Sequence, residues 1–143
     1  MSDSRLVRVR DVMKTEFNLI EGVATVADAL RRMRYPDSHV FIVDKRSEDD
    51  EFGIVVLADI AKKVLAHDRS PQRVNIYEIM TKPAMSVSPD MDIRYCSRLF
   101  HHFGIARAPV CAGGKLVGVV SYTDMVVKGG MLRKWVAPDL DGL

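Results

Sequence analysis

The chain has 143 residues, 48% of them hydrophobic, and a formal net charge of +2. This length and composition favour a compact folded unit with a substantial core, and a charge so close to balance argues neither for nor against nucleic acid. The first residues are polar rather than a signal peptide, and no apolar run approaches the roughly 20 residues of a membrane span. We therefore expect a cytoplasmic protein with no membrane partner.

The first half of the chain predicts a strand, a helix, two strands and a second helix, after a short apolar turn at residues 9–13. Thr25 is a candidate N-cap for the first helix, and residues 36–38, which begin with a proline, end that helix. The charged residues 45–51 predict a solvated loop. The predicted elements are a strand at 17–20, a helix at 26–34, strands at 39–43 and 53–57, and a helix at 59–66.

The second half predicts the same order after a polar linker at residues 67–72. Asp92 is a candidate N-cap for the long helix, and Gly104 is placed to end it. The predicted elements are an apolar turn at 76–80, a strand at 85–87, a helix at 93–103, strands at 108–111 and 116–120 joined by a tight turn, and a helix at 123–128. One more amphipathic turn at 131–135 and a frayed tail at 138–143 are expected beyond it.

The two halves align as an internal repeat. A shift of 67 positions places residues 9–13 on residues 76–80. After a longer loop in the first copy, a shift of 65 places Gly53 on Gly118 and Asp59 on Asp124. In both copies, therefore, a glycine opens an apolar strand that leads to an aspartate at the start of a helix.

The stretch from Gly118 to Asp124 has two interpretations. The hydroxyl of Ser121 and the carboxylate of Asp124 fall at a strand-to-helix turn, where backbone N–H groups and the helix dipole favour a phosphate. A carboxylate at this place can also accept both hydroxyls of a ribose. The alternative is a helix N-cap, in which one of the two side chains closes the first turn.

A β-α-β-β-α unit in tandem, opened by Val-x-Asp-Val-Met and closed by Gly-h-h-Ser-x-x-Asp (h, an apolar residue), resembles the cystathionine β-synthase (CBS) domain, and the pair resembles a Bateman module. The residues behind this resemblance are 9–13, 79–81, 104–110 and the two stretches from glycine to aspartate. The resemblance implies an α/β fold of the α+β kind, with two β-α-β-β-α repeats packed by pseudo-two-fold symmetry. It implies repeats at residues 7–68 and 74–130 and a C-terminal extension at 131–143.

Modules of this family usually act as regulatory sensors, and different members bind AMP, ADP, ATP or S-adenosylmethionine in clefts between the repeats. The resemblance implies that Asp124 accepts the ribose hydroxyls, that Ser121 hydrogen-bonds the ribose or a phosphate, and that Arg107 meets phosphate, for which an always-charged, bidentate guanidinium is suited. The adenine edge would come from the other copy's first strand and the stretch beside it. The other residues of the implied ligand-binding set are Thr123, Thr15, Phe17, Asn18, Ser38, His39 and Met85.

The two implied clefts are not equal. The cleft with Asp59 keeps a ribose acceptor, but Val56 replaces the hydroxyl and Val40 replaces the arginine. Lys82 is a candidate to compensate for the lost phosphate contacts. We therefore predict one tight nucleotide site with Asp124 and a weak or empty site with Asp59.

Other functional classes find little support in the residues. No cluster of His, Cys or carboxylates has metal-ligand spacing, and no nucleophile–base pair or Gly-rich phosphate loop indicates an enzyme. Adjacent cationic residues such as Arg31 and Arg32 are interpreted as solvated helix faces, so no nucleic-acid partner is expected. Cys96 and Cys111 are interpreted as buried thiols of a reducing cytoplasm.

The expected partners are a second copy of the chain and an unidentified regulated enzyme or transporter. We expect a homodimer in which two modules pack helix against helix, because apolar helix positions outside the sheet contact would otherwise be exposed. The candidates for this apolar surface are Ala29, Met33, Cys96 and Phe100. The alternatives to a nucleotide sensor are a ligand-free assembly module and an S-adenosylmethionine sensor.

Overall fold

The computed structural model describes residues 6–130, which form two compact units. The continuous unit spans Glu16–Met85, and the split unit joins residues 6–15 to residues 86–130. None of the helices in this described part of the chain is long and apolar enough to cross a membrane. The expected C-terminal extension, with its amphipathic turn, lies outside the described residues.

The continuous unit is built on a three-stranded sheet in the order β1-β2-β3. Its elements are β1 (Asn18–Ile20), α2 (Val26–Arg31), a 3₁₀ turn (Pro36–Ser38), β2 (Val40–Val43), β3 (Gly53–Val56), α3 (Leu57–Ile60), a π-helical turn (Ala61–Leu65) and α4 (Ile76–Ile79). β2 is parallel to β1 and antiparallel to β3, and all four of its residues are buried. A continuous apolar run such as β2 is what a central strand covered on both faces requires.

The split unit is built on an antiparallel hairpin. Its elements are α1 (Val9–Val12), α5 (Ile93–Phe103), β4 (Arg107–Ala112), β5 (Lys115–Ser121) and α6 (Tyr122–Lys128). Gly113 and Gly114 form the turn with φ of 59° and 79°, the left-handed conformation that two-residue hairpin turns need. The strand predicted at residues 85–87 is reduced to one parallel bridge between Val87 and Val110, because Pro109 of β4 has no N–H to donate to the carbonyl of Met85.

The opening helix of each sequence repeat lies in the unit that holds the other repeat's strands. α1 belongs to the split unit, where Val9 and Val12 are fully buried beside residues of α5 and β4. α4 belongs to the continuous unit, where the N–H of Ile76 donates to the carbonyl of Ala24 at 2.8 Å. The boundaries 7–68 and 74–130 therefore remain an interpretation of the sequence, since the compact units are divided differently.

The predicted helix ends are confirmed where a local signal sets them. Thr25 Oγ1 accepts the N–H of Asp28 at 3.0 Å, and the Asp92 carboxylate accepts the N–H of Arg94 at 2.8 Å. Gly104 ends α5 in the left-handed conformation, with φ of 67°, as C-terminal glycines commonly do. The helix predicted at residues 59–66 instead begins at Leu57 and widens into the π-helical turn.

Three of the four residues proposed for the dimer surface are core residues. Ala29, Cys96 and Phe100 are fully buried, so that part of the prediction is wrong. The reason is that the apolar stripes of α2 and α5 face their own cores; Phe100, for example, makes an edge contact with Tyr122 of α6. Burial also raises the pKa of the Cys96 thiol to about 11, whereas Cys111 is only partly buried.

Candidate functional site

Asp124 is a buried carboxylate in the first turn of α6, in the split unit. Only 3% of the surface of Asp124 is exposed. Its Oδ2 accepts the N–H of Ser121 at 3.2 Å and the Ser121 hydroxyl at 3.0 Å, and Ser121 Oγ accepts the N–H of Asp124 at 3.1 Å. This reciprocal pattern is a capping box. The N-cap interpretation of the Gly118-to-Asp124 stretch is therefore confirmed, and it fixes the orientation of the carboxylate.

The second carboxylate oxygen of Asp124 is occupied by a lysine that the sequence analysis did not identify. Lys14 Nζ lies 2.5 Å from Asp124 Oδ1, and Lys128 Nζ lies 3.9 Å from the same oxygen. The side chain of Asp124 is 4% exposed and that of Lys14 is 32% exposed. Lys14 directly follows the apolar turn at residues 9–13. That turn packs with the strands of the second repeat, so the repeat pattern could have pointed to Lys14 only if the first turn had been assigned to the second repeat's unit.

The backbone of Lys14 is held against β5. Its N–H donates to the carbonyl of Val119 at 2.8 Å, and its carbonyl accepts the N–H of Val119 at 2.9 Å. Gly118 permits this close approach, because a Cβ at that position would lie 2.8 Å from the Lys14 carbonyl oxygen. The glycine of the repeated motif therefore has a structural reason that is independent of any ligand.

Arg107 lies beside this cluster in the register of the hairpin. It is the strand partner of Ser121, at the end of β4 that meets the start of α6. Within residues 6–130 its half-buried guanidinium makes no ion pair or side-chain hydrogen bond. Thr123 and Thr15 are exposed residues of the same unit. The split unit thus contains five of the predicted ligand-binding residues.

The other seven predicted residues belong to the continuous unit. Among them, Asn18 and Ser38 are buried and bonded to each other, with Asn18 Nδ2 3.1 Å from Ser38 Oγ. Asn18 Oδ1 also accepts the N–H groups of Arg34 and Tyr35 at 3.0 and 2.9 Å. Their polar atoms stabilise the loop that leads into β2, and the prediction that they meet adenine stays a prediction.

Asp59 has different surroundings from Asp124. It lies half-buried in the first turn of α3, whose N-cap is Val56 with no side-chain cap. In the described part of the chain its carboxylate makes no ion pair or side-chain hydrogen bond. Val56 pairs with Val40 in the register where Ser121 pairs with Arg107. The strand pairing therefore confirms that Val56 and Val40 occupy the positions that Ser121 and Arg107 hold in the other repeat, where the sequence predicted a missing hydroxyl and a missing guanidinium.

Lys82 makes an ion pair within the continuous unit. Its Nζ lies 2.8 Å from Asp50 Oδ2, and this hydrogen bond, with one from the N–H of Arg46, lowers the pKa of Asp50. Lys82 also lines a cavity of about 580 Å³ whose apolar wall includes Val43 and Met80. Its ammonium is therefore balanced by a carboxylate.

The remaining predicted residues differ in exposure. Phe17 and Met85 are half-buried, and His39 is exposed with a left-handed φ of 61°. Between residues 6 and 130, no group of three or more His, Cys, Asp or Glu residues could hold a metal ion.

Comparison with known sequences places both halves in one family. The family model described as "CBS domain" matches residues 9–66 and 76–128. An uncharacterized protein of Methanopyrus kandleri is 28% identical over 124 residues, which are 85% of this chain and 62% of that protein. The chain thus spans less than two thirds of that relative. A CBS domain-containing protein of Bacillus subtilis is 26% identical over 119 residues, with 83% of each chain covered.

Solved structures agree with these matches. A hexameric CBS-CP12 protein from bloom-forming cyanobacteria is 37% identical, with a TM-score of 0.84 over 90% of this chain and 75% of that chain. A CBS domain pair solved with 5′-methylthioadenosine and S-adenosyl-L-methionine shares the fold at 20% identity, with a TM-score of 0.69 over 84% of this chain and 93% of that chain. The chain belongs to the CBS domain family and has two copies of the domain.

Proposed function

We propose that this chain is a regulatory module that senses an adenine nucleotide (AMP, ADP or ATP) through Asp124. The observation that supports this most is the buried, oriented carboxylate of Asp124, with Ser121 bonded to it and Arg107 beside it in the strand register. A carboxylate can accept both hydroxyls of a ribose, and a guanidinium with no ion-pair partner among the described residues suits a phosphate. Thr123 and Thr15 add exposed hydroxyls in the same unit.

The comparisons support an adenosine-type ligand. The CBS domain pair solved with 5′-methylthioadenosine and S-adenosyl-L-methionine holds two compounds that share adenosine. For the present chain we favour a nucleotide over S-adenosylmethionine, because the groups around Asp124 are Lys14, Lys128 and the nearby Arg107. Three cations favour an anionic ligand over one with a sulfonium charge.

A thermal-shift screen tests the proposal. A ligand that binds only the native state at a concentration 100 times its Kd stabilises that state by roughly 2.7 kcal/mol, which raises the Tm of a chain of this size by several degrees. We expect a rise with at least one of AMP, ADP and ATP. A rise with S-adenosylmethionine alone would favour the alternative sensor, and no rise with any of the four would favour a ligand-free assembly module.

Replacing Arg107 with alanine is expected to weaken AMP binding but leave adenosine binding nearly unchanged. The lost contact is a charge-assisted hydrogen bond to phosphate, which contributes about 1.5–3 kcal/mol, or ten- to a hundredfold in affinity. Calorimetric titration of both ligands into Arg107→Ala and the wild type measures the two effects separately. An equal loss for adenosine would show that Arg107 does not act on phosphate.

We further propose that the chain forms a homodimer through its helices. Large apolar side chains remain exposed on helical elements of both units: Leu30, Leu65, Tyr95, Phe103, Val126 and Val127. In the continuous unit, α2 and α3 border an apolar groove of about 360 Å³. A contiguous exposed apolar surface such as this groove often marks an interface, and a second copy supplies matching apolar residues. Light scattering should give about twice the chain mass of 16.1 kDa, and 16.1 kDa itself at micromolar concentration would contradict a dimer.

We propose that the chain has a regulatory rather than a catalytic role. It would act in the cytoplasm by contacting an enzyme or a transporter and changing the activity of that partner. A ligand changes a conformation only when it binds two states with different affinity. We therefore expect nucleotide to change hydrogen exchange at residues 69–75, the linker before α4.

A further inference from the structure

The backbone around Lys14 brings its ammonium to Asp124. Two backbone hydrogen bonds of 2.8 and 2.9 Å hold Lys14 against Val119, and the missing side chain of Gly118 makes room for its carbonyl. The ammonium then lies 2.5 Å from Asp124 Oδ1, while the other oxygen is used by Ser121. The carboxylate that the proposed function gives to a ribose is thus already occupied from within the chain.

Oδ2 of Asp124 already accepts two hydrogen bonds from Ser121, so Oδ1 is the oxygen with room for a ribose hydroxyl, and the ammonium of Lys14 competes with the ribose there. Among residues 6–130, the charged groups that form ion pairs with Asp124 are Lys14 and, at 3.9 Å, Lys128. Leaving a partly buried ammonium without its carboxylate partner costs free energy unless another anion takes the place of that carboxylate. A ligand phosphate supplies that anion, whereas adenosine supplies none.

We propose, on the basis of the proposed function, that Lys14 is an internal competitor for the ribose-binding carboxylate that admits adenosine ligands with a phosphate and rejects those without one. Lys14 pairs with Asp124 when the site is empty. When a nucleotide binds, the ribose takes the carboxylate and the ammonium transfers to the phosphate. Lys14 is a specificity-determining residue in this scheme, and Arg107 adds a second phosphate contact.

The chain itself provides the matched comparison. Thr81 occupies the equivalent position in the continuous unit, where it exchanges two backbone hydrogen bonds of 2.9 Å with Ile54. A threonine therefore fits this type of backbone pairing, and it has no ammonium to offer. Asp59, in the same unit, makes no ion pair in the described part of the chain. Lys14→Thr copies into the split unit a residue that the continuous unit already uses.

Calorimetric titration of adenosine and AMP into the wild type, Lys14→Thr and Lys128→Met tests the proposal. We expect the wild type to prefer AMP by about tenfold or more, and Lys14→Thr to bind adenosine about tenfold tighter while AMP gains nothing or weakens. Lys128→Met removes the same charge at 3.9 Å and should not raise adenosine affinity. Lys14→Met repeats the test with a side chain of similar length, and the Tm of each variant verifies folding.

The outcomes separate this inference from the function on which it rests. AMP binding to the wild type with no gain for adenosine in either Lys14 variant would overturn the inference alone, and so would an equal gain in Lys128→Met. Adenosine binding that appears only in the Lys14 variants would support the inference, even if the wild type bound no nucleotide. Absence of binding in every variant would overturn both.

Discussion

Replacing Asp124 with alanine is expected to weaken AMP binding by more than about a hundredfold, the largest effect of any single substitution at the site. The ribose would lose both hydrogen bonds to a charged acceptor, each of which contributes about 1.5–3 kcal/mol. Asp124 also completes the cap of α6, so the variant should lose about 1 kcal/mol of stability as well. Calorimetry of AMP binding, below the Tm of the variant, measures the effect on affinity alone.

Asp59→Ala is the matched control for that experiment. Asp59 lies at the equivalent position of the other repeat and makes no capping bond, so its removal should leave the tight site and the Tm nearly unchanged. If Asp59→Ala removed tight binding and Asp124→Ala retained it, the working carboxylate would be Asp59, and the assignment of ligand contacts would be wrong.

Replacing Phe100 with alanine is expected to lower the free energy of unfolding by about 3–5 kcal/mol. The side chain is fully buried in the core of the split unit, against Tyr122, and its removal leaves a cavity. Chemical denaturation measures the loss as a lower midpoint with an unchanged slope. We expect this variant to be the least stable of those proposed.

Phe103→Ala tests an exposed residue of the same helix, for comparison with the buried Phe100. Phe103 lies at the end of α5 and is 54% exposed, so its removal should cost well under 1 kcal/mol of stability in a monomer. If the exposed helix face forms the proposed dimer, Phe103→Ala should instead weaken the dimer in light scattering. A loss of stability as large as that of Phe100→Ala, without a change in mass, would contradict both expectations.

The elements that could be predicted from the sequence are those whose signal is local. Thr25, Asp92 and Gly104 each mark a helix end with a side chain or a backbone preference that acts within a few residues. The repeat also predicted which residues of the two hairpins are equivalent, as the pairs Arg107–Ser121 and Val40–Val56 show. The family assignment rests on the same doubled motifs.

The features that the sequence did not reveal depend on contacts between distant segments. Lys14 and Asp124 are 110 positions apart, and their pairing follows from the position of α1 beside the second repeat's strands. The helix face with Cys96 and Phe100 was assigned to an interface because an apolar stripe has the same periodicity whether it faces its own core or another molecule. The strand at Val87 is shorter than predicted because Pro109 on the partner strand has no N–H with which to extend the pairing toward Met85.

A crystal structure of the chain with AMP bound tests the central claim most directly. We expect both ribose hydroxyls on the carboxylate of Asp124, the phosphate near Arg107, and the ammonium of Lys14 moved from Asp124 Oδ1 to the phosphate. A complex in which AMP lies elsewhere, with Lys14 still 2.5 Å from Asp124, would contradict the account.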